Sequence, residues 1–240
     1  MLKVEQYDEI FERERRHSYP IIDGYERMHG YAIDRAKLES MARTLACPLK
    51  VNPPNWQHGR VIYATLRFFL RKALQGFVGG EVILDIGTAK GFSACVISHA
   101  LEDSGASCEV VSLDVIDPNA RVSRNSAAEL DGLKTIDEFV AGHVASGVRV
   151  TFFGRGSNPW LEWALQQGKR VPFAFVDGKH TKQQVYYEGM ALSQMQKPGD
   201  VIVFDDCQIA PVGEAVRELR PYTKHYVDIG PRIYAVAVRS

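Results

Sequence analysis

The segment Glu81-Val-Ile-Leu-Asp85-Ile-Gly87-Thr-Ala-Lys-Gly91-Phe-Ser93 constrains this chain more than any other stretch. An apolar run of strand length ends in an acid, passes through two glycines and continues into a helical pattern. Glycines at such a turn let the backbone approach a ligand, and the helix that follows offers free N–H groups beside it. The alternation then continues. Residues 93–101 read as a helix and 110–115 as a strand. Further strands are expected at 148–153, 173–176 and 201–204, with helices at 159–167 and 181–195. Strands separated by helices pair in parallel. The last two apolar runs, 224–229 and 232–238, flank only Gly230 and Pro231, a connection too short for a parallel crossover. The predicted fold is therefore a doubly wound, Rossmann-like α/β sheet of seven strands, mostly parallel and ending in an antiparallel hairpin.

A helical extension precedes this unit. Residues 3–17 carry Val4, Tyr7, Ile10 and Phe11 at helical spacing, a second helix is expected over 34–46, and a third over 59–74. Pro53 and Pro54 mark 51–56 as a linker. The division expected is 1–58 as a helical extension that would serve as a lid and 59–240 as the main domain. Residues 118–133 are polar and read as a loop before a helix at 134–145.

Composition narrows the partners. Lys plus Arg and Asp plus Glu both total 29, so nothing favours a nucleic acid, and a small-molecule substrate is expected. The four cysteines lack metal-type spacing and suit reduced thiols. The chain shows no apolar run of spanning length and no secretory leader pattern, which predicts a soluble, cytoplasmic protein free of membrane. An exposed apolar stripe on the first helices would permit a homodimer.

The glycine turn has the spacing Asp-x-Gly-x-x-x-Gly, which differs from the Gly-x-Gly-x-x-Gly of dinucleotide binders and disfavours a nicotinamide cofactor. Asp85, Gly87 and Gly91 resemble the first motif of class I methyltransferases, and the likeness extends over roughly residues 57–240 in motif order. It implies S-adenosylmethionine as cofactor, with Ser93 in the same loop region. It also implies ribose held by Asp114, the acid ending Val110-Val-Ser-Leu-Asp114, because one carboxylate can accept both hydroxyls. Gly154-Arg-Gly156-Ser157-Asn158 resembles the family's adenine contact, which places Gly156 and Ser157 in the cofactor set.

Two further segments, Phe173-Ala-Phe-Val-Asp177-Gly-Lys179-His180 and Gly199-Asp-Val-Ile-Val-Phe-Asp205-Asp206, end strands in acids. This half is similar to small-molecule O-methyltransferases of the catechol and caffeoyl-coenzyme A type. It is more closely similar to the bacterial branch that includes macrocin O-methyltransferase and cephalosporin hydroxylase-like proteins. The resemblance implies that Asp177, Asp205 and Asp206 ligate Mg2+ or a similar divalent cation, with Asp177 also beside the cofactor. Convergent carboxylates would need such a charge, and the Asp205–Asp206 pair could share one ion only if the chain is already turning there. Where catechol-type enzymes carry a catalytic lysine, this chain has His180, which fits either a general base or a loop histidine. The resulting expectation is a metal-assisted O-methyltransferase acting on a sugar, polyketide or phenolic hydroxyl. The same likeness leaves open a cephalosporin hydroxylase-like activity or a cofactor-binding protein without turnover.

Overall fold

A computed structural model describes residues 4–46, 56–73, 80–124, 126, 129 and 132–240. Its sheet is built from β1 (Val82–Ile86), β2 (Glu109–Asp114), β3 (Val150–Gly154), β4 (Phe173–Val176), β5 (Val201–Phe204), β6 (Tyr222–Asp228) and β7 (Ile233–Arg239). The spatial order is β3-β2-β1-β4-β5-β7-β6. Strands β1 to β5 pair in parallel, while β7 runs antiparallel to both β5 and β6. The expected sheet and closing hairpin are both present. Strand order reverses between β1 and β4, so the chain leaves their carboxyl ends in opposite directions and opens a crevice there.

Helices cover both faces, which is why β1, β4 and β5 are buried at every residue instead of alternating. Period-two geometry divides the core. Ile83, Val110, Phe173, Phe175 and Val203 face α4 (Gln57–Ala73) and α5 (Phe92–Ser104). Leu84, Ile86, Leu113, Val176 and Phe204 face α7 (Ser157–Gln166), α8 (Lys182–Met195) and α9 (Ala210–Glu218).

The helices α1 (Val4–Arg15), α2 (Pro20–His29) and α3 (Arg35–Leu45) join the first of these layers. Helix α3 starts where the sequence placed it, with the Asp34 side chain accepting from Lys37 N at 2.8 Å. Helix α2 was not expected, although Pro20 opens it and Gly30 closes it in a left-handed conformation. Arg60 of α4, 1% exposed, pins α2 by pairing with Glu26 and Asp23. Helix α9 was likewise not expected. The helix predicted over 134–145 contracts to α6 (Ile136–Val140), opened by a Thr135–Glu138 capping box and followed by Gly142 at φ 78°. Of the expected linker only Trp56 is among the described residues, and it is buried against Phe11 at 5.2 Å.

At the amino ends of the strands Arg170 pairs with Glu81 and with Asp200, the latter at 2.7 Å, tying together the entries of β1, β4 and β5. Among the described residues no helix is long and apolar enough to cross a membrane. Cys95, Cys108 and Cys207 are free thiols.

Candidate active site

The crevice between β1 and β4 holds a cavity of about 590 Å³. Gly87 forms its floor. Its N–H donates to Leu113 O at 2.9 Å, its φ is +101°, and a Cβ built there would lie 2.1 Å from the carbonyl oxygen of Asp177. Only glycine allows β1 and β4 to approach this closely with that backbone. Asp114 stands on the opposite wall. Its Oδ2 accepts from Ala89 N at 2.8 Å and its Oδ1 from Ile116 N at 3.0 Å, so two backbone donors fix the carboxylate while each oxygen keeps a further lone pair. Gly156 is held beside it by donating its N–H to Asp114 O at 2.8 Å, and Ser157, Asp177 and the exposed Val115 complete this wall.

Three of the cofactor candidates, Asp85, Gly91 and Ser93, do not line the cavity. Asp85 is fully buried beneath the glycine loop and accepts from Ser112 Oγ at 2.5 Å, while Ser112 shares a second bond with Thr88 at 2.7 Å. Burial pushes the Asp85 carboxyl up to about 6, against the opposing pull of the Ser112 and Ser93 hydroxyls. Asp85 and Ser93 thus support the loop from behind. Gly91 serves packing. It caps α5 at φ +86°, and a Cβ there would meet Val140 Cγ1 of α6 at 2.4 Å.

The sequence reading missed Glu188 on α8. It lines the cavity yet is 1% exposed, with Oε1 accepting from Ser157 Oγ at 2.5 Å and Gln184 Nε2 at 2.9 Å, while buried Oε2 has no partner. Desolvation raises its pKa. A signal was present, since Glu188 falls in the helical register of Val185 and Leu192, both core residues. Of the three tryptophans, Trp56 is core, while Trp160 and Trp163 line a second cavity of about 270 Å³ next to the first.

A second cluster lies past the ends of β4 and β5. Donor atoms of Asp177, His180 and Asp206 lie within 4.8 Å of one another. His180 Nε2 is 3.2 Å from Asp177 Oδ1 and 3.4 Å from Asp206 Oδ2. The hydrogen bond to Asp177 is the main reason the His180 pKa is raised above 6.5. The chain does turn at Asp206, whose φ is +55°.

Asp205 nevertheless stays outside the donor group. Its side chain is fully buried, with Oδ1 accepting from Asp206 N at 2.6 Å and Oδ2 lying 3.2 Å from Arg232 Nη1. The same nitrogen is 3.0 Å from Asp206 Oδ1, which also accepts from Gln208 Nε2 at 2.6 Å. Burial raises the pKa of Asp177 and that of Asp205, and Arg232 opposes both shifts. Beneath Arg232, His58 stacks on Phe175 at 5.8 Å, and burial pushes its pKa down to about 3.

The divalent ion expected from the sequence required open carboxylates on Asp177, Asp205 and Asp206. That set does not fit the ion here, because Asp205 and one oxygen of Asp206 are engaged by a guanidinium. The S-adenosylmethionine site does fit, with side-chain-free backbone at Gly87 lining the cavity, a fixed carboxylate at Asp114 and an unpartnered buried oxygen on Glu188.

The strand order, the switch-point cavity and the glycine loop define a class I, S-adenosylmethionine-dependent methyltransferase. A family model described as a methyltransferase domain matches residues 84–207, more than half of the chain. The chain belongs to this methyltransferase family. No curated protein sequence matches it. Among solved structures, the O-methyltransferase NovP superposes with a TM-score of 0.54 at 14% identity, over 83% of this chain and 87% of its own. TomG, an O-methyltransferase from Streptomyces achromogenes involved in tomaymycin synthesis and solved with S-adenosylmethionine, gives 0.51 at 16% identity over 87% and 92%. A Bacillus cereus O-methyltransferase in complex with S-adenosylhomocysteine gives 0.50 at 15% identity over 93% of each chain. These likenesses show the fold.

Proposed function

We propose that this chain transfers the methyl group of S-adenosylmethionine to a hydroxyl oxygen of a small molecule such as a sugar, a polyketide or a phenol. The observation that carries the reading is the cavity at the β1/β4 switch point, bounded by Gly87 and the fixed Asp114 carboxylate, with His180 one loop away on the Asp177 side. The O-methyltransferases that share the fold, two of them solved with the cofactor or its product, support the oxygen acceptor and the cofactor.

When bound, the sulfonium supplies an activated methyl group. The residues of the chain supply positioning and proton transfer. Asp114 accepts the two ribose hydroxyls, and the close β1–β4 approach at Gly87 leaves room for the methionyl part beside backbone. His180 takes the acceptor hydroxyl proton on its imidazole while Asp177 holds the ring in place, so oxygen gains a carbon bond as the carbon–sulfur bond breaks. The raised pKa of His180 makes it a stronger base, available only above its own titration. Metal assistance forms no part of this reading.

Titration calorimetry tests the cofactor site. S-adenosylmethionine and S-adenosylhomocysteine are expected to bind and NAD is not, and Asp114→Ala should weaken binding by roughly 10–100-fold through two lost charge-assisted hydrogen bonds. Transfer of labelled methyl to a panel of hydroxyl, amine and thiol acceptors then tests the oxygen preference. NAD binding with no response to S-adenosylmethionine rejects the reading.

A further inference from the structure

The carboxylates past β4 and β5 already have a cation, and the fold holds it there. Arg232 sits at the tip of the β6–β7 hairpin, directly after Gly230 and Pro231. The hairpin is latched onto the loop that carries the acids: Cys207 N donates to Ile233 O at 2.9 Å and Ile233 N donates to Gln208 Oε1 at 2.8 Å. The other end of the Gln208 amide donates to Asp206 Oδ1. Arg232 is therefore followed directly by a residue latched through both its N–H and its carbonyl oxygen, and a single nitrogen, Nη1, serves both Asp205 and Asp206. Its side chain is one-third exposed, so the guanidinium borders solvent at the carboxyl edge of the sheet rather than being sealed in the core.

We infer that Arg232 is the resident cation of this edge and takes the place that a divalent ion holds in metal-assisted methyltransferases, so that the chain binds no such ion there and works without one. A metal ion relieves the repulsion among convergent carboxylates and brings positive charge to a developing oxyanion. A guanidinium cannot lose its proton at ordinary pH and offers the same charge with fixed planar donors. It also repels an incoming divalent ion and engages one oxygen each of Asp205 and Asp206, leaving, among the described residues, only Asp177, His180 and the second Asp206 oxygen as donors beside a fixed positive charge. His58, neutral beneath it, adds no competing charge. The acids facing Arg232 are Asp177 of the β4 loop and Asp205 and Asp206 of the β5 loop, with His180 bridging the first and the last.

The inference rests on the methyl-transfer reading for its activity measurement and on nothing but the chain's own residues for its binding measurement. Mn2+ is titrated into the full chain and free ion is followed by electron paramagnetic resonance. The wild-type chain should leave Mn2+ free, with a Kd weaker than about 1 mM. Arg232→Ala should tighten binding by roughly 10–100-fold, the range over which groups adjoining metal ligands act. Arg232→Lys, which keeps the charge, should behave like wild type and serves if the alanine variant fails to fold. Methyl transfer by the wild type should be unchanged in excess chelator. Uptake of one Mn2+ per wild-type chain at micromolar concentration, or loss of activity in chelator with recovery on adding Mg2+, overturns the inference. Calorimetry with S-adenosylhomocysteine on the same preparation separates the two failures, since absence of that binding overturns the methyl-transfer reading instead.

Discussion

Replacing Gly87 by alanine tests the close approach of β1 and β4 on which the cavity depends. Two separable costs follow from the structure. The φ of +101° lies where side-chain-bearing residues are strained, worth about 1–3 kcal/mol. The added Cβ would stand 2.1 Å from Asp177 O and 2.6 Å from its carbonyl carbon, and these are backbone atoms of a central strand end that cannot rotate away. Overpacking of this kind costs about 1–3 kcal/mol or more. The total, about 2–6 kcal/mol, is a large part of the ~5–15 kcal/mol that stabilises a typical fold. For a chain of this size it corresponds to a fall in Tm of roughly 5–20 °C. Gly105→Ala is the matched control, because its φ is +63° but nothing lies within 4 Å of the added Cβ. That variant should lose only the conformational cost, about 1–2 kcal/mol. Urea and thermal unfolding of the two variants, with calorimetric titration of S-adenosylhomocysteine, provide the assay. Gly87→Ala should be the less stable and should bind at least about a hundred-fold more weakly, as a misplaced floor does in a preorganised site. Equal stability of the two variants, or undiminished binding by Gly87→Ala, would refute the steric argument.

The folded chain holds the Asp85 proton up to about pH 6 against an ordinary 3.8, so this group favours folding below about pH 4 and loses that contribution, about 3 kcal/mol, as pH rises through 6. Urea unfolding at pH 4 and pH 7 should show Asp85→Asn without this loss, and parallel pH profiles for variant and wild type would contradict it. Arg170→Ala should cost about 3–5 kcal/mol by leaving buried Glu81 and Asp200 uncompensated at the amino ends of the strands. Its affinity for S-adenosylhomocysteine should be unchanged, since the cavity lies at the opposite edge. His180→Ala should lower turnover by about a hundred-fold. The wild-type rate should show an acidic limb above pH 6.5 that the variant lacks, and an unchanged limb in the variant would assign proton removal elsewhere.

Local pattern determined most of this architecture. The apolar runs that became β1, β4 and β5 are short, continuous and bounded by turn residues, so they specify buried strands without help from neighbours. The single Gly-Pro connection likewise left the closing hairpin no parallel alternative. Asp114 and Gly87 were legible for the same reason, because a strand's carboxyl end and a glycine turn are local features that a parallel sheet turns toward a ligand. Helices α2 and α9 are short and owe much of their stability to tertiary contacts, as the buried Arg60 pairing on α2 shows. Whether Asp85 lined the cavity or supported its floor depended on which face of β1 it took and on Ser112 of the next strand reaching it. Glu188 reached the cavity through the packing of α8 against the sheet. Asp205 and Arg232 stand 27 residues apart, and no spacing rule joins them. Antiparallel addition of β7 to β5, with the hairpin tip latched to the Asp206 loop, is what brings a guanidinium onto those carboxylates. Charge placement at this edge is therefore a property of the assembled sheet, and it decides which cation the acids meet.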